Sequence, residues 1–231
     1  MRIVIPVIAF LACVPSSADA ATRNFGVSGF DRIRVDGPFK VRLATGVAPF
    51  AVANGSGPAL DSVTMDVQGR TLVVRSSRSS WGGYPGEAKG PVEISIGTHE
   101  LNAAWVNGSG SLAIDRLRGL SFDLAVQGAG SASVGQANID QLKISIAGTG
   151  SVSIAGTAPK LTALVRGIST LDAPGLVASD ATIGAQGPAT ARVTVTGTAK
   201  VDAQGAAVID LGGRPACTVK AIGSATVTGC R

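Results

Sequence analysis

A glycine that recurs about every 20 residues through the C-terminal half is the feature of this sequence that most constrains its fold. Successive copies are separated by 20, 20, 19, 20, 18 and 18 residues. They lie at Gly108, Gly128, Gly148, Gly167, Gly187, Gly205 and Gly223. A fixed period of this length predicts a solenoid, in which each repeat forms one coil and the coils stack on one another.

The residues between the glycines predict short β-strands. Apolar residues alternate with polar or small ones, for example at Leu120, Phe122, Leu124 and Val126. A period of two is typical of a strand with one buried face. We therefore predict an all-β, single-stranded parallel β-helix with about 18–20 residues per coil and glycine at its corners. The alternative is a disordered tail rich in Gly, Ala and Ser, but it does not explain why branched aliphatic residues keep this phase.

The N-terminal half is also rich in predicted strands, but it is less regular. Gln68-Gly69 between two apolar runs predicts a hairpin. A solenoid needs a cover over its open end, because exposed strand edges recruit other chains. We interpret residues 24–106 as irregular N-terminal coils that act as a cap, and residues 107–231 as regular glycine-turn coils of the same domain. The alternative is a separate small sandwich domain in residues 24–106.

The first 20 residues have the pattern of a secretory signal peptide. A short apolar run follows Arg2, and small residues stand at Ala18 and Ala20, where a signal peptidase reads the chain. We expect cleavage between Ala20 and Ala21, which predicts an exported protein with a single domain over residues 21–231. No segment of that mature chain is apolar enough to span a bilayer, which requires about 20 residues.

A lipoprotein signal is the alternative interpretation of the same segment. It would place a lipid anchor on Cys13. Phe10 stands where a small aliphatic residue is preferred, and the segment before Cys13 is short, so we favour the cleaved signal. In either case the sequence leaves open whether the protein is periplasmic or extracellular, and it does not determine the oligomeric state.

The cysteine content and the net charge limit which cross-links, metal sites and partners we expect for this chain. Cys217 and Cys230 remain after cleavage, and an even pair in an oxidising compartment predicts one disulfide. Two cysteines with no histidine nearby cannot supply a zinc site. The formal net charge is +5, but the basic residues are scattered, so we expect no nucleic-acid partner.

Two sets of residues together resemble a known family. One is the opening, which reads Asn24-Phe25, then Phe30-Asp31-Arg32-Ile33-Arg34-Val35-Asp36-Gly37, then Phe39-Lys40-Val41-Arg42-Leu43. The other is the series of Asn-Gly-Ser-Gly-Ser and Gln-Gly-Ala-Gly-Ser turns. The chain resembles the GIN-domain family, the putative auto-transporter adhesin head domains, over roughly residues 24–212. The resemblance implies a right-handed parallel β-helix that is secreted or faces the envelope. It supplies no catalytic residues.

Catalytic chemistry has one candidate cluster. Glu87, Lys89, Glu93, His99 and Glu100 lie close in sequence, and His99 beside Glu100 suits an acid/base pair. The sequence contains no nucleophile-elbow motif, and no carboxylates precede the glycines as calcium-binding β-rolls require. We therefore expect no catalytic residues, no metal and no cofactor, and we regard the cluster as surface residues.

The segment between Ser76 and Pro91 is the candidate ligand-binding loop. It carries Trp81 and Tyr84, with Arg78 and Lys89 around them. Aromatic side chains beside cations suit stacking on a sugar ring or contact with a partner. The alternative is a loop that folds over the side of the solenoid, with Trp81 filling a gap.

These observations predict an exported envelope or extracellular binding module with an adhesin-like role. Its partner would be a cell-surface glycan or an envelope protein. The alternatives are a polysaccharide-active enzyme on a β-helix scaffold and a purely structural envelope protein.

Overall fold

The computed structural model describes residues 21–77 and 90–231, and these form a β-solenoid of about six turns. This confirms the all-β solenoid predicted from the glycine period. Its N-terminal strands are β1 (Ala21–Phe25), β2 (Arg32–Asp36), β3 (Lys40–Thr45), β4 (Phe50–Gly55), β5 (Val63–Gln68), β6 (Thr71–Ser76), β7 (Glu93–Thr98) and β8 (Ala103–Gly108). One short helix, α1 (Gly57–Asp61), lies between β4 and β5.

The strands of the regular coils run from residue 111 to the C-terminus. They are β9 (Ser111–Gly128), β10 (Ser131–Gly148), β11 (Ser151–Thr157), β12 (Lys160–Gly167), β13 (Thr170–Gln186), β14 (Thr190–Gly205), β15 (Val208–Gly212), β16 (Ala216–Gly223) and β17 (Thr226–Thr228). The longest of these continue around corners, so that β9 and β10 pair in parallel along three successive runs.

Each regular coil therefore has three sides. In β9 the first side is residues 111–114, the second side is residues 116–119 and the third side is residues 121–128, as their pairing with β10 defines them. The same three names are used for the equivalent runs of other coils. Along each side, successive coils are hydrogen-bonded in parallel register, about 4.8 Å apart.

The N-terminal half departs from chain order. On the third side the strands follow the order β5, β6, β2, β8 and β9, so that β2 lies between the later strands β6 and β8. On the first side the order is β1, β4, β7, β3 and β9. The outermost pairings, β1 with β4, β4 with β7 and β5 with β6, are antiparallel. These antiparallel strands end the parallel stack, as the predicted cap requires, and β5 and β6 form the predicted hairpin.

The interior is a continuous aliphatic core that extends from Phe30 to Leu211. Phe122, Leu124 and Val126 point inward and are at most 2% exposed, as their alternation predicts. Leu120 is different, because it is 77% exposed. It follows Gly119, whose φ of +152° forms the corner between the second and third sides, so Leu120 lies outside the alternating run. The prediction that Leu120 belongs to the buried face is wrong.

The predicted glycines form a column along one edge of the solenoid. All seven have positive φ, between 81° and 112°. A β-carbon on Gly128 would lie 2.8 Å from the carbonyl oxygen of Gly108, and one on Gly148 would lie 2.7 Å from that of Gly128. The same carbonyl oxygens accept hydrogen bonds of 2.9 Å from Ala129 and Thr149 in the next coil. Both the left-handed backbone and the close stacking therefore require glycine here.

The C-terminal coil is tied by the predicted disulfide. Cys217 in β16 is bonded to Cys230, which follows β17. Among the described strands, β16 pairs only with β14 and β17 only with β15, so each has a neighbour on one side. A cross-link at this position stabilises the coil with the fewest strand neighbours.

Replacing Gly148 with alanine tests the glycine column. Gly148→Ala is expected to lower the free energy of unfolding by about 2 kcal/mol, because the new β-carbon meets the Gly128 carbonyl on a left-handed backbone. Gly26→Ala is the matched control, since a β-carbon added at Gly26 would meet no atom within 4 Å and the backbone there is not left-handed. Equilibrium urea denaturation measures both variants. Equal stability of Gly148→Ala and the unsubstituted protein would contradict the column.

Removing the disulfide tests how the C-terminal coil is held. In the Cys217→Ser, Cys230→Ser variant, amide hydrogen exchange in β16 is expected to be about 100-fold faster, since a loop of this size is worth about 3 kcal/mol. Amides of β10 serve as the internal control and should exchange as before. Unchanged exchange in β16 would mean that strand pairing alone holds the coil.

Candidate functional site

The predicted loop site lies outside the described residues. Arg78, Trp81, Tyr84 and Lys89 all fall between Ser77 and Gly90, the described residues that flank the segment. The backbone N–H of Ser77 donates a 2.8 Å hydrogen bond to the carbonyl of Ser62. The role of this segment in binding stays a prediction.

Glu93 lies apart from the other described members of the candidate acid/base cluster. Glu93 begins β7 and His99 follows its end, so about 20 Å of extended strand separates them. Glu93 instead contacts Lys40 at 2.6 Å and Arg42 at 3.4 Å. The hydrogen bond and charge of Lys40, together with the charge of Arg42, lower the pKa of Glu93 below its usual value. An exposed carboxylate held in its ionised form is a poor general acid at neutral pH.

The next residues to consider in that cluster are Glu100, Glu87 and Lys89. Glu100 is paired with Arg70 at 3.4 Å. Glu87 and Lys89 lie outside the described residues. Glu93 therefore does not share a site with His99, because sequence neighbours on an extended strand are carried far apart.

A groove on the third side is an apolar site on the solvent-facing surface of the solenoid. Trp105, Ala125, Ser145 and Leu164 are in register on four successive coils, at a position whose side chains point outward. Trp105 and Leu164 are half-buried. Because the two coils between them carry only a methyl and a hydroxymethyl group, a groove of about 320 Å³ opens between the two large side chains.

The local sequence explains why Trp105 faces outward. It lies in β8 between Ala104 and Val106, which are both fully buried in the core. Alternation along the strand then places the indole on the outer face. Trp105 was not singled out by sequence analysis, although the signal was present: a large aromatic residue in the outward phase of a strand.

A polar rim runs along one edge of the groove. Asp123, Lys143 and Thr162 are in register on three successive coils, one outward position before the Trp105 column. All three line the groove. Within residues 21–77 and 90–231, no carboxylate lies within 4 Å of the Lys143 ammonium group. The groove thus combines an aromatic wall and an apolar floor with hydrogen-bonding groups at its edge.

The groove continues along the third side toward the C-terminus. Thr162 also lines a second depression of about 480 Å³, whose outer residues are polar. They include Lys160, Asp180, Thr182 and Lys200, and Thr198 donates a hydrogen bond to Asp180. The third side therefore presents hydroxyl and charged groups on several successive coils.

Two further properties concern the described part of the chain. It holds no group of three or more His, Cys, Asp or Glu side chains placed to bind a metal ion. Within the same residues, none of the helical structure is long and apolar enough to cross a membrane.

Comparison with solved structures shows where this architecture occurs. A putative adhesin from Bacteroides fragilis aligns with a TM-score of 0.78 at 20% identity, over 91% of this chain and 97% of that one. A putative lipid binding protein from Parabacteroides distasonis aligns with a TM-score of 0.70 at 19% identity, over 90% and 96%. A putative adhesin from Parabacteroides merdae aligns with a TM-score of 0.66 at 18% identity, over 90% and 95%. At these identities the likeness establishes the fold alone.

Sequence comparison identifies the family. No curated protein matches the chain. Residues 29–215 match the model of the family described as "Putative auto-transporter adhesin, head GIN domain". The match includes both the opening around Phe30 and the turns that contain the first six glycines of the column. The chain therefore belongs to the family of putative auto-transporter adhesin head GIN domains.

Proposed function

We propose that this protein is an exported binding module of the cell envelope or extracellular space, which holds a glycan chain along its third side. The observation that carries the proposal is the groove between Trp105 and Leu164. Its apolar floor and polar rim match the two kinds of surface on a sugar ring, a flat carbon–hydrogen face and a hydroxyl edge. The adhesin-like character of the family agrees with a role in binding.

The spacing of the coils supports an extended ligand. Residues at one outward position recur about every 4.8 Å, so a chain lying along the axis meets a new polar side chain at each coil. Lys143, Thr162, Thr182 and Lys200 occupy one such column. A linear polymer can therefore make several similar weak contacts, which together give useful affinity.

The Trp81 segment is the second element of the proposal. Trp81 and Tyr84 would add aromatic contacts, and Arg78 and Lys89 would add charge. Strand β6, which precedes the segment, lies on the third side two strands from the one that carries Trp105, and β7, which follows it, lies on the first side. We propose that the segment and the groove contact the same partner.

Glycan-array binding of the purified protein, followed by calorimetry on the best ligand, tests the proposal. Trp105→Ala is expected to weaken binding about tenfold, because it removes the aromatic wall of the groove. The Trp81→Ala, Tyr84→Ala variant should weaken binding independently. Leu120→Ala is the matched control, since Leu120 is large, apolar and 77% exposed at a corner, and is not among the residues lining the groove.

The possible outcomes separate the two elements. Loss of affinity in Trp105→Ala with no change in Leu120→Ala supports the groove. Full affinity in Trp105→Ala would overturn the groove, and full affinity in the double variant would remove the Trp81 segment from the binding surface. Cleavage of the bound glycan would instead favour the polysaccharide-active enzyme.

A further inference from the structure

A third depression, separate from the two on the third side, lies at the corner between the first and second sides. Its volume is about 340 Å³, which falls within the usual range of ligand pockets, about 300–1,000 Å³. His99, Arg116 and Arg118 are its cationic or ionisable basic residues. We propose that this corner is an anion-binding subsite, which takes a carboxylate or sulfate group of an acidic ligand.

The arginines are placed by the strand itself. Arg116 and Arg118 lie on the second side of β9, with Leu117 between them only 1% exposed. Alternation therefore points both guanidinium groups to the same outer face, on Cα atoms about 6.6 Å apart. Two neighbouring cations repel each other unless an anion lies between them. Because the planar guanidinium group binds carboxylates and sulfates through paired hydrogen bonds, this spacing suits such an anion.

The two arginines differ in how closely carboxylates oppose their charge. In the described part of the chain, no carboxylate lies within 4 Å of Arg118. Asp115 lies 3.5 Å from Arg116, but its other oxygen accepts hydrogen bonds from the backbone N–H groups of Thr45 and Arg116. Asp115 therefore offsets part of the charge of Arg116 and also orients it, so Arg118 is the arginine of the pair without a close carboxylate. Glu100, which also lines the corner, is already paired with Arg70.

The wall of the corner is fixed by backbone hydrogen bonds. Gly46, just after β3, donates to the carbonyl of His99 at 3.0 Å, and Val47 donates to that of Thr98 at 3.2 Å. The hydroxyl of Thr45 donates to the carbonyl of Arg116 at 2.9 Å. The turn after β3 is therefore joined both to His99 and to the strand that carries the arginines, so the three basic groups are held around one depression.

The next coil extends the site with neutral polar groups. Gln136 and Asn138 are in register with Arg116 and Arg118, and Thr157 follows Asn138 one coil further. Amide and hydroxyl groups of this kind hydrogen-bond to sugar hydroxyls. The arrangement fits a ligand with one anionic group at the corner and uncharged hydroxyls along the second side, as in an acidic sugar. The inference does not depend on the third-side groove.

Titration with sodium sulfate and with glucuronate, monitored by NMR of the arginine side-chain Nε–Hε groups, tests the subsite. Either anion should shift the Arg116 and Arg118 signals, with glucose causing no shift. Arg118→Gln should weaken binding of the anion about tenfold. If neither anion shifts these signals at millimolar concentration, the proposal is overturned.

Chromatography on immobilised dextran sulfate and on immobilised polyglucuronate extends the test to polymers and distinguishes sulfate from carboxylate ligands. Arg118→Gln should elute at lower salt than the unsubstituted protein from at least one of them. Arg192→Gln is the matched control, because it removes the same charge from an exposed arginine of the first side, 3.9 Å from Asp172. Equal loss of retention in both variants would mean that net charge alone causes retention, and it would overturn the subsite.

Discussion

The glycine column is the constraint on which the rest of the structure depends. At each of these corners the chain turns through a left-handed backbone conformation and packs against the backbone of the glycine one coil earlier, at four of them directly against its carbonyl oxygen. That carbonyl is also a hydrogen-bond acceptor between coils, as in the bond from Ile168 to Gly148. A side chain here would both strain the backbone and separate the coils. Because the corner is fixed in every coil, the register between successive coils is fixed on all three sides.

Because the register between coils is fixed, each strand has one face whose side chains point inward and one whose side chains point outward, and the two faces meet different requirements. Inward positions must fill a narrow interior, and they are almost uniformly Val, Ile, Leu and Ala. Outward positions carry no such requirement, so their side chains are free to vary from coil to coil. The groove beside Trp105 arises in this way, since Ala125 and Ser145 leave space that a larger residue would fill. The depression lined by Arg116 and Arg118 arises in the same way, because outward side chains on the second side are also free to vary.

The regular half of the fold could be predicted from sequence, because residues close together in the chain determine each coil. The period of Gly108 and its successors predicts the coils, and only this first glycine of each turn has positive φ. The second glycine of the turn does not have a positive φ, so Ser169 and Ala189 replace it in later coils without straining the backbone. Leu120 was placed wrongly because the corner at Gly119 interrupts the alternation, and a corner is not visible in a two-residue period.

The fold of the irregular N-terminal half and the positions of the sites could not be predicted from sequence, because both depend on pairing between strands that are distant in the chain. Nothing near β2 in the sequence indicates that it lies between β6 and β8, because this order is set by contacts some 40 to 70 residues away. The same holds for the surface: Arg116 and His99 converge through the turn after β3, whereas Glu93 and His99, close in sequence, do not meet. Alternation along β8 is enough to place Trp105 on the outer face, but only the register with Ala125, Ser145 and Leu164 reveals a groove.

In-register stacking of the coils is the central claim, and distances between spin labels along one outward column measure it most directly. Ala113 and Arg192 lie four coils apart in the column, and Ala113 and Thr228 lie six coils apart. With labels attached through Ala113→Cys and Arg192→Cys, or Ala113→Cys and Thr228→Cys, the Cα separations should be about 19 Å and about 29 Å, at about 4.8 Å per coil. A pulsed EPR distance that fails to increase from the first pair to the second would contradict the stacked solenoid.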